Sequence, residues 1–211
     1  MKKLEHVLSV RSSHITPKPG YSEMPEYLSM KDTLPPEAMM FGSRDWLETD
    51  EDFLQIIPYC VITSENGDVL AYSRTAQTGE NRLAGKISVG LGGHVNAEGL
   101  LQRNGIINSP VTIMNSCYRE LDEEVTLPLD DDYPFLIDFK GFIYDPSDEV
   151  GRVHLGLLMQ CKISDELEPV KHKISSSDKG INILGFYSKE YLLTSDEVEL
   201  EGWSRIALEA L

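Results

Sequence analysis

The feature that most constrains this chain is the run Arg119 to Leu127, RELDEEVTL, at the end of a helical pattern. Glu120, Glu123 and Glu124 stand three and four residues apart, so an α-helix turning about 100° per residue gathers them within an arc of roughly 100°. Three like charges that close repel one another unless a multivalent cation that takes oxygen ligands, such as Mg²⁺, stands among them. Arg119 is placed to hold a carboxylate by a charge-assisted bond. Upstream, Ser109-Pro110 reads as N-cap and N1 of this helix, and Pro128 stops it. Ile113, Met114, Cys117, Tyr118, Leu121 and Val125 recur at helical spacing and predict a buried stripe that the carboxylates border. A solvated acidic helix is the plain alternative.

A second stretch, Gly90 to Asn96, reads GLGGHVN and follows the strand-like KISV. Glycines at 90, 92 and 93 let the backbone approach a ligand closely, although an ordinary turn would use them equally well. Together the two stretches resemble the Nudix hydrolase signature: Gly92, five residues, Glu98, and later Arg119-Glu120-Leu121-Asp122-Glu123-Glu124 with Leu127 as its closing apolar position. Two departures stand out. Twenty residues instead of seven separate Glu98 from Arg119, and Thr126 occupies the usual glycine position. With QIIPY at 55 to 59, YSR at 72 to 74 and Glu80-Asn81-Arg82-Leu83, the chain is similar to the MutT-like predicted phosphoesterase group over roughly residues 50 to 195.

The resemblance implies an α+β Nudix-type sandwich, with a mixed sheet between helices. It implies Mg²⁺-dependent hydrolysis of a phosphoanhydride in a nucleoside diphosphate linked to another moiety, with Mn²⁺ as an alternative ion. Carried over by position, Gly92 offers a carbonyl to metal, Glu123 and Glu124 are ligands, and Glu120 is ligand or general base oriented by Arg119. Arg74, His94 and His154 are the candidates for substrate contact; for His154 a satisfied structural histidine is the competing reading. A late carboxylate is expected from Glu166 or Glu168, with Asp178 a further candidate. A non-catalytic nucleotide sensor is the rival function. An isopentenyl-diphosphate isomerase is disfavoured because GLGGHVN holds no cysteine.

Composition bounds the rest. At 211 residues and 41% apolar, the chain suits one domain, taken as 1–211 with an N-terminal extension over 1–50 and a catalytic core over 50–211. A net charge of −16 disfavours a nucleic acid duplex as partner and favours a small nucleotide or diphosphate met by metal and local bases. A homodimer is left open. Cys60, Cys117 and Cys161 lack CxxC spacing and read as reduced core thiols, and no apolar run is long enough to span a membrane, so a cytoplasmic protein is expected.

Along the chain, residues 4 to 15 read as a strand and Thr16 to Pro36, with five prolines, as irregular cover in which Tyr21, Met24, Tyr27, Leu28 and Met30 lie over the sheet. FLQIIPYCVIT and VLAYSRT flank Asn66-Gly67 as a hairpin. Residues 97 to 108 read as an extended insertion. FLIDFKGFIYD and RVHLGLLMQCKI read as paired strands, 164 to 180 as a mobile loop, NILGFYS as a strand, and KEYLL and WSRIALEAL as helices.

Overall fold

FLQIIPYCVIT is apolar at nearly every position, which suits a strand covered on both faces, and Phe53–Thr63 is such a strand, buried throughout. Gly67, at φ +83°, makes the turn that follows. Asp68 N donates to Ser64 Oγ at 3.1 Å, and Val69–Arg74 returns antiparallel with Val69 opposite Thr63. The computed structural model describes residues 5–24, 30–74, 85–97, 102–103, 106–126, 137–163 and 168–211, with the backbone alone at 102–103, 106–107 and 168–170. The fold is α+β, a large mixed sheet with several helices. Phe53–Thr63 neighbours His154–Lys162 in that sheet. Gln55 N donates to Val153 O and Ile163 N to Thr63 O, so residue numbers rise together, the parallel arrangement.

Contacts group the chain into two units interleaved in sequence. The first comprises 1–59, 92–119 and 140–158. Within it His6–Arg11 pairs antiparallel with Met39–Ser43 and with residues 53–55 of the long strand. Val7, Leu47 and Phe53 form a buried cluster under Met40, each contributing roughly 1.5–3 kcal/mol by leaving water. Two expectations are corrected here. The N-terminal strand stops at Arg11 and Ser12–Ile15 is a helical turn. Gly20–Glu23, expected as irregular cover, is a strand paired with Gly141 to Tyr144, and Tyr21 donates its hydroxyl to Lys140 O at 2.8 Å. A short strand at the end of the sheet order has pairing demands on one side only, so neighbouring prolines are tolerated. Tyr27 and Leu28 lie outside the described residues.

The second unit comprises 60–91, 120–139 and 159–211. Ile181–Tyr187 pairs antiparallel with Val69–Arg74, and Ile87–Ser88 pairs with Tyr72 and Ser73. Glu201 caps the helix Gly202–Ala210 by accepting from Trp203 N and Ser204 N. That capped end also holds the approach to the glycines: Ile87 N donates to Glu199 O, Glu201 N to Ile87 O, and Val89 N to Ser204 Oγ at 3.0 Å. The segment expected as a mobile loop is more regular than its composition suggested. Glu168–Lys173 is a 3₁₀ helix, and Ser175–Ser176 pairs antiparallel with Val125–Thr126.

The helix predicted around the carboxylates runs Ser109–Glu124. Ile113, Cys117, Leu121 and the following Val125 are buried as expected, and all three cysteines are buried and outside any disulfide. Tyr118, however, is 41% exposed, while Thr112 and Ser116 are buried. The inward face is therefore rotated toward the polar side, because Ser116 donates its hydroxyl to His94 O at 3.3 Å. The helix begins at Ser109 itself, whose hydroxyl donates to Leu34 O at 3.3 Å.

Candidate functional site

In the first unit the glycine loop is fixed by sterics and by one arginine. A Cβ built on Gly92 would stand 1.9 Å from Pro58 O, so the close passage of two backbones demands glycine whatever its carbonyl binds. Leu8 N donates to Val95 O at 2.9 Å. Arg119 Nη2 donates to His94 O at 3.0 Å and to Ser116 Oγ at 3.2 Å, tying the loop to the helix.

The side chain of His94 meets His154, with the two Nε2 atoms 3.2 Å apart and the rings edge to face. His154 Nδ1 lies 2.7 Å from Val150 O, which can only accept, so that nitrogen carries the proton. Glu48 completes a trio whose ligand atoms all lie within 4.8 Å of one another. Arg44 donates to Glu48 Oε1 at 3.2 Å and to Glu5 Oε2 at 3.0 Å. Burial works against the Arg44 charge, but its two carboxylate partners outweigh that and hold its pKa above the ordinary value. Burial, reinforced by Arg44 and His154, pushes the His94 imidazole down to about 3. Glu48 was missed in the sequence, where it stands in RDWLETDED with no spacing to mark it.

In the second unit the three carboxylates differ in surroundings: Glu123 is exposed, Glu120 half-buried and Glu124 only 8% exposed. A carboxylate buried to that degree needs a compensating cation, and Arg74 Nη2 stands 3.8 Å from Glu124 Oε1. Arg74 Nη2 also donates to Tyr72 OH at 3.2 Å, and Tyr72 donates to Gly90 O at 2.6 Å. Burial pushes the Tyr72 phenol well above its ordinary value, so it serves as a donor. The end of the helix is held too, since Glu124 O accepts from Ser177 N at 3.0 Å and from Ser176 Oγ at 3.4 Å. A cavity of about 630 Å³ lies beside Ile181–Tyr187, lined in part by Lys171, His172, Ser175 and Ser176. It does not include the glutamates.

Among the late carboxylates, Asp178 is exposed and its Oδ1 accepts from Gly180 N at 2.8 Å. Glu98, Glu166, Leu127 and the 80–83 segment lie outside the described residues, as does the side chain of Glu168. Most of the insertion also does, apart from a two-residue ladder in which Gln102 pairs Ile107 and Arg103 pairs Ile106.

A mixed sheet with several helices is what the sequence resemblance implied, and comparison with solved structures agrees on that fold. The solved structure of Tm1382, assigned to the Nudix hydrolases, superposes with a TM-score of 0.70 at 25% identity over 97% of both chains. The chain belongs to the Nudix hydrolase superfamily. Within it, the chain belongs to the family of protein YmaB of Bacillus subtilis (strain 168), being 34% identical over 168 residues that span 78% of this chain and 74% of that one. No protein-family model matches. No helix of the described residues is long and apolar enough to cross a membrane.

Proposed function

We propose that this chain is a Mg²⁺-dependent hydrolase of phosphoanhydride bonds, acting on a nucleoside diphosphate linked to another moiety. The observation that carries this reading is one helix end bearing Glu120, Glu123 and Glu124, with Glu124 buried beside Arg74. The donor set suits a hard divalent ion, being all oxygen and anionic. Glu120, Glu123 and Glu124 would hold Mg²⁺ or Mn²⁺, which when bound supplies charge neutralisation for a diphosphate and a more acidic water. The Gly92 carbonyl is assigned to the same ion by the family resemblance alone.

The chain's own groups then have distinct tasks. Arg74 faces Glu124 and favours its ionised, ligating form. Arg119 anchors the His94 carbonyl and so positions the glycine loop, making it a positioning residue. Glu120 is the general base unless a late carboxylate, Glu166 or Glu168, takes that part. Arg74, His94 and His154 remain the proposed substrate contacts. We read 1–211 as one catalytic domain with residues 1–50 as its extension, and three reduced thiols support a cytoplasmic setting.

A release assay for phosphate and nucleotide tests this, run with Mg²⁺ against nucleoside triphosphates, diphosphate sugars, ADP-ribose and dinucleoside polyphosphates. Turnover of at least one class that chelator abolishes and Mg²⁺ restores is expected. Binding of nucleotides with no turnover of any would instead establish a sensor.

A further inference from the structure

We infer that Glu48, His94 and His154 form a second metal site, suited to a borderline ion such as Zn²⁺ and separate in chemistry from the helix carboxylates. Two imidazoles and one carboxylate are a donor set for zinc rather than for Mg²⁺, which demands oxygen. The spacing fits. With Zn–N bonds of about 2.0–2.1 Å, nitrogens 3.2 Å apart subtend roughly 100° at the metal, near the tetrahedral angle.

The surroundings carry features that such sites need. Val150 O fixes the proton of His154 on Nδ1, which leaves the Nε2 lone pair facing His94. Without metal, the proton between the rings then belongs to His94 Nε2; on binding it moves to Nδ1 of the same ring, and both Nε2 atoms become ligands. Glu48 lies within 4.8 Å, so a closure of at most about 1.4 Å brings it to the N···O separation of a tetrahedral site. Its half-buried side chain can do so by a rotamer change while Arg44, neutralised by Glu5 as well, orients the carboxylate from outside. Three protein ligands leave a fourth position for water. None of the three residues belongs to the Mg²⁺ set proposed above; His94 and His154, read there as substrate contacts, would act here as metal ligands, and metal binding is measured apart from turnover, so either site can fail without the other.

Cobalt titration of the chelator-stripped full chain is the test, because tetrahedral Co²⁺ absorbs intensely in the visible and octahedral Co²⁺ does not. One equivalent with tetrahedral bands, displaced stoichiometrically by Zn²⁺, is expected. His94→Asn should weaken binding about 100-fold or more, since loss of even an outer partner costs about 10–100-fold. Glu48→Gln, at a half-buried position, should weaken it at least about 10-fold with an unchanged circular dichroism spectrum. Glu123→Gln should leave the bands intact. Tetrahedral bands that never develop, that survive in both the His94 and Glu48 variants, that vanish in Glu123→Gln, or that arrive with a thiolate-to-cobalt charge-transfer band would overturn the site.

Discussion

Two polar clusters, one in each unit, handle buried charge in opposite ways. Around His94 burial holds the imidazole neutral, and the neighbouring cation Arg44 is matched by Glu5 and Glu48. Around Glu124 a buried carboxylate faces Arg74 at 3.8 Å and a phenol held protonated. Neutral imidazoles make lone pairs available to a borderline ion, whereas carboxylates gathered at one helix end offer negative charge to a hard one. Position within one sequence motif therefore says little about chemistry, for His94 and Arg119 flank a long insertion yet meet through a backbone carbonyl.

The contrast can be broken first at its most rigid point. Gly92→Ala places a methyl against Pro58 O and should cost about 3 kcal/mol or more in urea denaturation. Gly85→Ala meets no atom within 4 Å but sits at φ +84°, so its cost should stay near 1–2 kcal/mol. Equal losses at the two positions would mean that the loop yields and Gly92 is not sterically required. In the second cluster, Glu124→Gln should lower kcat by about 100-fold or more, equivalent to about 2.7 kcal/mol in the barrier. An unaltered rate in Mg²⁺ assays removes Glu124 from the site.

Acid should distinguish the clusters further. In metal-free protein the His94 pKa of about 3 lies below the ordinary 6.5, so between those values the unfolded chain binds a proton that the native state does not. Stability is then fully present above pH 6.5 and is lost as pH falls toward 3, with a slope of up to about 1.4 kcal/mol per unit. His94→Asn should flatten that slope in urea midpoints taken between about pH 4 and 7; a slope unchanged by the substitution assigns it to other groups. The smallest effect is expected at Arg119→Lys. Keeping the charge but losing the planar fork across His94 O and Ser116 Oγ should cost about 1 kcal/mol in stability. A rise in KM with kcat untouched would place Arg119 on the substrate instead.

What the sequence disclosed follows from how local each signal is. The helix Ser109–Glu124 and the hairpin around Gly67 were readable because their periodicity and turn residues act over a few positions. Exposure of Tyr118 was not, since a hydroxyl contact from Ser116 to a loop distant in sequence sets the helix rotation. The strand Gly20–Glu23 was hidden by prolines because its partner lies about 120 residues on. Glu48, His94 and His154 come from separate segments, so no spacing joins them, and His154 alone resembles any buried histidine.

The bond from Val89 to Ser204 spans 115 residues of chain. Protein synthesis proceeds at about 5–20 residues per second, so Ser204 is made roughly 6 to 23 seconds after Val89. Through that interval the nascent polypeptide leading into the glycines has no Glu199, Glu201 or Ser204 to engage. The approach to the glycine loop is thus completed only after Glu199 to Ser204 have been translated.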